Sequence, residues 1–231
     1  MALTSTDLSV LDTAIGEIDL AAAFNSRTGY LHLDHLTVRN KNSSLELLGT
    51  LALTMPGKLE PLSEPVLDLV IKSDAIYLED FRDDMAGRFS LNSVIKGSPE
   101  NPAGQATLHG RDILVMDQAI QDLQMDVVMK ERKVIIPRIQ ARLTPESHIT
   151  ARGWILPTGQ NEFDLTVELN QIAGSIRGSV HAAGTLNLAG AGEDGLNILV
   201  DGRFPVSVLD TLSDEIDQAT GHVNLSAQMI G

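Results

Sequence analysis

A chain of 231 residues, 43% of them hydrophobic, can form one large β-domain or two ordinary ones and is too apolar for disorder. Its net charge of −14, with no block of Lys or Arg, argues against nucleic acid as a partner because nothing would neutralise phosphates. The absence of cysteine excludes a disulfide framework and a Cys-based metal site, and it fits an oxidising compartment such as a bacterial periplasm.

Residues 1–26 hold SVLDT (9–13) and then the short alternating run GEIDLAAAF. YLHLDHLTVRN follows, with Leu31, Leu33, Leu36 and Val38 apolar and a one-residue slip between the two pairs. After the turn NKNSS, LELLGTLAL places Leu45, Leu47, Gly49, Leu51 and Leu53 on one face, the period of a half-buried strand. MPGKLEPLSEP reads as a Pro-rich loop, and VLDLVIKS as a strand with Leu67, Leu69 and Ile71 on one face. IYLEDFRDDMAG breaks the period: Ile76, Leu78, Phe81 and Met85 are spaced for one or two helical turns. GRFSLNSVIKG returns to strand, SPENPAG turns, and QATLHGRDILVMD is extended with a glycine break. In QAIQDLQMDVVMKER, the strict alternation of Leu123, Met125, Val127 and Met129 favours strand over helix. KVIIPRIQARL, HITARGWIL, EFDLTVELNQI, GSIRGSVHAAGTLNLAG and GLNILVDGRF are further strands, and SVLDTLSDEIDQATG a second short helix.

The chain repeats itself. GRFSLNSVIKG (87–97) returns as GHVNLSAQMIG (221–231), LDLVIKSDAI (67–76) aligns without gaps on FDLTVELNQI (163–172), and SVLDT recurs at 207–211. Such recurrence predicts a mainly β, elongated, repeat-based open curved sheet, a β-taco with an apolar concave face and one or two short helices. Residues 1–231 read as one β-repeat segment of a longer protein, with repeat boundaries near 87 and 221. No run approaches the roughly 18 apolar residues of a membrane span. The opening MALTSTDLSVLD has no signal-peptide character, so any anchor would lie outside this piece.

Chemical motifs are few. GAGEDG (190–195) matches GxGxxG, but a strand follows where a dinucleotide site needs a helix, so it reads as a hairpin turn. In HLDH, a regular strand puts His32 and Asp34 on one face and His35 on the other, too divergent for a metal. Glu79, Asp80, Asp83 and Asp84 with Arg82, and likewise Asp214, Glu215 and Asp217, read as wet faces of short helices. No GxSxG, HExxH or P-loop occurs, so neither an enzyme nor a cofactor or metal site is expected.

What remains is the apolar stripe. A closed sandwich would bury it, whereas a shell-like sheet would leave a greasy trough. Three features favour the trough: aliphatics with only 3% aromatics, recurrence that continues to the last residue, and lone glycines inside strands (Gly49, Gly110, Gly153, Gly184). Its lining is the apolar parity of each strand: Leu31, Leu33, Leu45, Leu47, Leu51, Leu67, Leu69, Ile71, Phe89, Leu91, Leu123, Met125, Val127, Ile136, Phe163, Leu165, Val167, Leu186, Leu188, Ile198 and Val200.

Gly97, Pro102 and Gly104 after the Gly-bounded strand, together with ITARGWILPTGQNEFDLTVEL (149–169), resemble the TamB family within the AsmA-like group of bacterial envelope proteins. The likeness covers nearly the whole chain and is carried by Gly, Leu and turn residues, with Gly104 one residue early. The family's membrane anchor and C-terminal region have no counterpart in it. The resemblance implies a periplasmic segment of a protein anchored in the inner membrane of a Gram-negative bacterium. Such a segment would carry phospholipid between the membranes along its trough, with an outer-membrane barrel as partner. The alternative is a β-scaffold that accepts client strands during outer-membrane protein assembly. A polysaccharide-binding repeat is disfavoured by one Trp and two Tyr.

Overall fold

Alternation of aliphatic and polar residues gives strand after strand, each too short of apolar surface to bury itself and each laid beside its predecessor. The computed structural model describes residues 2–10, 13–115, 118–145, 147–156, 161–171, 176–186, 196–206 and 221–230. They fall into two compact units, residues 1–116 with 128–132, and 117–127 with 133–231.

The first unit contains β1 (Ala2–Val10), β2 (Thr13–Asn25), β3 (Tyr30–Asn40), β4 (Ser43–Thr54), β5 (Pro61–Tyr77), β6 (Met85–Ser98) and β7 (Asn101–Val115). They hydrogen-bond in chain order, all antiparallel, and β1 does not return to pair with β7. The strand β8 (Gln118–Lys130) is divided, residues 118–127 belonging to the second unit and 128–130 to the first. The second unit contains β9 (Lys133–Arg142), β10 (Ser147–Leu156), β11 (Asn161–Gln171), β12 (Ile176–Leu186), β13 (Leu196–Pro205) and β14 (His222–Ile230), again antiparallel in chain order. The protein is thus mainly β, an open curved sheet that does not close into a barrel.

Several expected breaks are smaller than the sequence suggests. The helical turns expected around Ile76–Met85 reduce to one 3₁₀ turn, Leu78–Asp80, and Phe81 is 55% exposed. SPENPAG turns only at Pro99–Glu100, because Asn101 already pairs with Ser98. The loop after β4 ends at Glu60, and Pro61 opens β5. No glycine break interrupts β7. The Phe89 ring lies over its cross-strand partner Gly110, 2.7 Å from where a Cβ would stand, and so covers the gap that glycine leaves. The expected GAGEDG turn, the second helix with Asp214, Glu215 and Asp217, and Leu188 lie outside the described residues.

Bulges explain the parity slips. In β3, Leu33 pairs with Gly49 and Leu36 with Leu47, so Asp34 and His35 together oppose Leu48 alone. One extra residue returns Leu36 and Val38 to the face of Leu31 and Leu33. The same device in β9 sets Pro137 and Arg138 against Arg152 and keeps Ile139 on the face of Ile136. Proline suits such a position, where the missing N–H breaks no ladder bond.

Candidate functional site: the apolar face of the sheet

Cross-strand partners in an antiparallel ladder share a face, so register alone assigns the lining. In the first unit one row runs Leu31, Leu51, Leu67, Gly97 and the next Leu33, Gly49, Leu69, Ile95, Gly104. A third joins Leu36, Leu47, Ile71 and Ser93, while Leu45 faces Val38, Leu91 faces Ser73 and Phe89 faces Ile76. In the second unit Ile136, Gly153, Leu165, Ala182 and Val200 make one row, and Ile155, Phe163, Gly184 and Ile198 the next. Val167 faces Ala151 and Val180, and Leu186 occupies a position of the same parity opposite Leu196. Leu123, Met125 and Val127 alternate along β8. The opposite face carries the ion pairs, Asp68 to Lys96 at 3.0 Å and Asp164 to His181 at 3.2 Å, around a shorter aliphatic row of Leu48, Val70 and Val94 in the first unit and Trp154 beside Ile135 in the second.

Two observations describe how this face is covered. Among the described residues only Ala52, Ile113 and Ala141 are buried apolar residues, and no large side chain is fully buried. Within each unit, extensive contacts join only ladder neighbours, apart from the 3₁₀ turn against β6. Among the described residues no large side chain is enclosed, so no second layer of them seals the aliphatic face inside either unit. The lining residues whose side chains are described are half-buried, apart from Ile155, which is exposed. Each such Leu leaves about 1 kcal/mol of transfer free energy unrealised.

Sequence parity omitted Leu36, Val38, Ile95 and Val180, which share the face by register. The available signal was the three-residue spacing of Leu33 to Leu36. Gly104, read as part of a turn, is a strand residue opposite Ile95.

The polar candidates are rearranged. His35 does not point away from His32. The bulge brings both to the polar face, where His35 Nε2 lies 3.3 Å from Asp19 and the His32 ring is tilted 6.5 Å from Tyr30. Among the described residues no three His, Asp or Glu converge as a metal site. Glu79, Asp83 and Asp84 are exposed as expected, but Asp80 is only 7% exposed. It lies beside the β3–β4 turn and accepts hydrogen bonds from the Ser43 hydroxyl (2.7 Å), the Ser43 amide (2.8 Å), the Asn42 amide (3.0 Å) and the Asn42 side chain (3.4 Å). Burial pushes its carboxyl up, but the Ser43 hydroxyl, the two amides and the Asn42 side chain outweigh it and hold the group below the usual range. Ser43 Oγ also accepts from the Tyr77 amide at 2.8 Å, so the carboxylate clamps a rim of the sheet.

Two shallow recesses lie on polar surface. One is flanked by Arg138 and Arg152, already tied to Asp126 at 3.1 Å and Glu168 at 3.9 Å. The other holds Arg39, Glu46, Lys72 and Asp74. Neither combines a nucleophile with an oriented base. No protein-family model matches the chain, and no curated protein or solved structure matches it.

Proposed function

We propose that this chain is a lipid-carrying segment of a bacterial envelope protein, with the uncovered aliphatic face as the path for acyl chains. The single observation that carries the reading is that face: rows of Leu, Ile and Val in register across each unit, with no large side chain fully enclosed among the described residues. A contiguous apolar surface of this kind marks an interaction site. The resemblance to TamB-like proteins supplies the context, a periplasmic trough on a protein anchored in the inner membrane.

The physics of such transfer asks little of the protein. Exposing each methylene to water costs about 0.8 kcal/mol, so a phospholipid with about 30 of them faces roughly 25 kcal/mol in free transit. An aliphatic floor removes most of that cost without a specific site, and headgroups stay in water. The role is therefore transport, with no catalysis and no cofactor.

A photo-crosslinking residue at Val167, on the apolar face, and at Thr166, on the polar face opposite Arg152 and His181, tests the reading in cells. Phospholipid adducts at Val167 alone are expected. Equal adducts at both positions, or none at either, defeat the proposal.

A second reading is a scaffold that accepts client β-strands. The observation that favours it is β14: nine residues, HVNLSAQMI, paired to β13 without a register shift and carrying no charge or proline. Natural edge strands usually carry such guards. Among the described residues its outer side is unpaired, so it can take an added strand by β-augmentation, for example from an outer-membrane barrel.

A further inference from the structure

Two hairpin turns of the first unit stand side by side and are bolted together by backbone. The β2–β3 turn (residues 26–29) accepts the Gly57 amide on the Arg27 carbonyl at 2.9 Å, and Gly29 O accepts the Leu53 amide at 2.9 Å. The β4–β5 turn (residues 55–60) is closed by Met55 N to Glu60 O and Lys58 N to Met55 O, each 3.0 Å. Large apolar side chains stand in water on and beside these turns: Leu59 is 73% exposed and Met55 43%, while Phe24 (44%) and Tyr30 (40%) flank the β2–β3 turn from opposite faces of the sheet. Single exposed hydrophobics need no explanation; here Leu59 and Met55 share one turn that is tied by backbone to its neighbour.

The tip also differs from the rest of the chain in charge. Arg27 and Lys58 are exposed there against Glu60, while the whole chain carries −14. Lys58 reaches Glu60 only at 3.8 Å with both side chains more than 60% exposed, so that pair holds the cation weakly. The opposite rim is the reverse, with Glu79, Asp83 and Asp84 around Arg82. Apolar tips flanked by long cationic side chains match one surface in particular, the interface of a bilayer. There Leu and Met enter the acyl boundary while Arg and Lys reach phosphate.

We propose that the paired turns 26–29 and 55–60 are a membrane-contact tip that docks on a phospholipid surface bearing anionic headgroups. Phe24 belongs both to the tip and to the trough, since it pairs with Leu31 at the head of the Leu31–Leu51–Leu67 row. A lipid leaving the bilayer at the tip meets the aliphatic floor directly. The contact deepens the lipid-carrier reading and rests on it for its purpose, but its test does not depend on a lipid in the trough.

The test is partitioning of the full chain onto phosphatidylcholine vesicles with and without phosphatidylglycerol. Wild type is expected to bind both, more tightly with phosphatidylglycerol. Leu59→Ser lowers partitioning about tenfold, and Arg27→Gln lowers it about fivefold on the anionic vesicles only. Because Leu59 is so exposed, its replacement leaves folding intact, and Leu199→Ser, at a 53% exposed position of the other unit, is the neutral control. The chain has no cysteine, so Leu59→Cys labelled with an environment-sensitive dye gives a second readout, a blue shift on vesicles that labelled Leu199→Cys lacks. No vesicle binding by wild type, or equal binding by Leu59→Ser, overturns the tip. Failed lipid crosslinking at Val167 would instead overturn the trough and leave this result standing.

Discussion

Gly49 stands directly opposite Leu69, and a Cβ on it would lie 2.1 Å from the carbonyl oxygen of Asp68. The neighbouring backbone occupies the place where a side chain would begin. The same relation holds between Gly153 and Leu165, with the Asp164 carbonyl at 2.1 Å. Leu69 and Leu165 are corresponding residues of the aligned segments 67–76 and 163–172, so each copy has a glycine opposite the same position, with positive φ at Gly49 only. Glycine at these points lets the sheet bend where it must, as bulges do elsewhere.

The first prediction follows from that contact. Gly49 has φ +138° as well as the clash, so Gly49→Ala is expected to cost about 3 kcal/mol. Gly57 also has a positive φ (+72°) but open space around it, so Gly57→Ala should cost about 1 kcal/mol. Urea midpoints of the two variants measure the difference. Equal losses would mean that the close approach to Asp68 carries no energy.

The Asp80 clamp predicts a pH dependence. Its folded pKa lies below the ordinary value of 3.8, so the unfolded chain binds the proton more readily. The clamp therefore contributes fully above that ordinary value and is lost as pH falls through the folded one. Asp80→Asn should flatten the acid limb of the stability curve. At neutral pH, Asp80→Ala should cost about 2 kcal/mol by leaving the Ser43 and Asn42 amides without their acceptor. Amide exchange at Asn42, Ser43 and Tyr77, followed against pH, reads the clamp directly.

What the sequence made legible was periodicity. Alternation located the strands and, through parity, the face, because a strand has only two sides. Contacts between residues far apart in the chain were not legible. Asp80 looked like one more wet carboxylate because its four donors come from Asn42 and Ser43, 38 and 37 residues away. The bulge at Asp34–His35 is visible only as a slip in the apolar period, which says that a register changes but not how the polar residues turn, and the one at Pro137–Arg138 is not read from the sequence at all. His35 was misplaced for that reason. Phe81 was assigned to an apolar helical stripe, but one 3₁₀ turn is too short to have a stripe.

Packing of aromatic on glycine gives a third prediction. The Phe89 ring and the buried Ile113 side chain together cover Gly110, at 2.7 and 2.6 Å from where its Cβ would stand. Phe89→Ala should cost about 2 kcal/mol, less than a fully enclosed Phe because the site is half-buried. Phe89→Leu should recover part of the loss by covering the glycine incompletely. Thermal midpoints of the two variants decide; a Phe89→Ala variant as stable as wild type would show that the ring shields nothing.

The last prediction separates the two functional readings. A charge on the trough face and a charge on the β14 edge disturb different things. Val167→Lys puts an ammonium between Ala151 and Val180, where an acyl chain would have to strip its water, so lipid crosslinking from a probe at Leu165 should fall sharply. Ser226→Lys places a cation on β14 opposite Asp201, on the polar face, where it leaves the trough untouched but guards the edge against a further strand. If the chain carries lipid, Val167→Lys fails in transport and Ser226→Lys does not. If it docks client strands, the pattern inverts: crosslinks from β14 to an extended client peptide vanish in Ser226→Lys and persist in Val167→Lys. Loss of both activities in both variants, with urea midpoints unchanged, would mean that the edge and the face act as one surface.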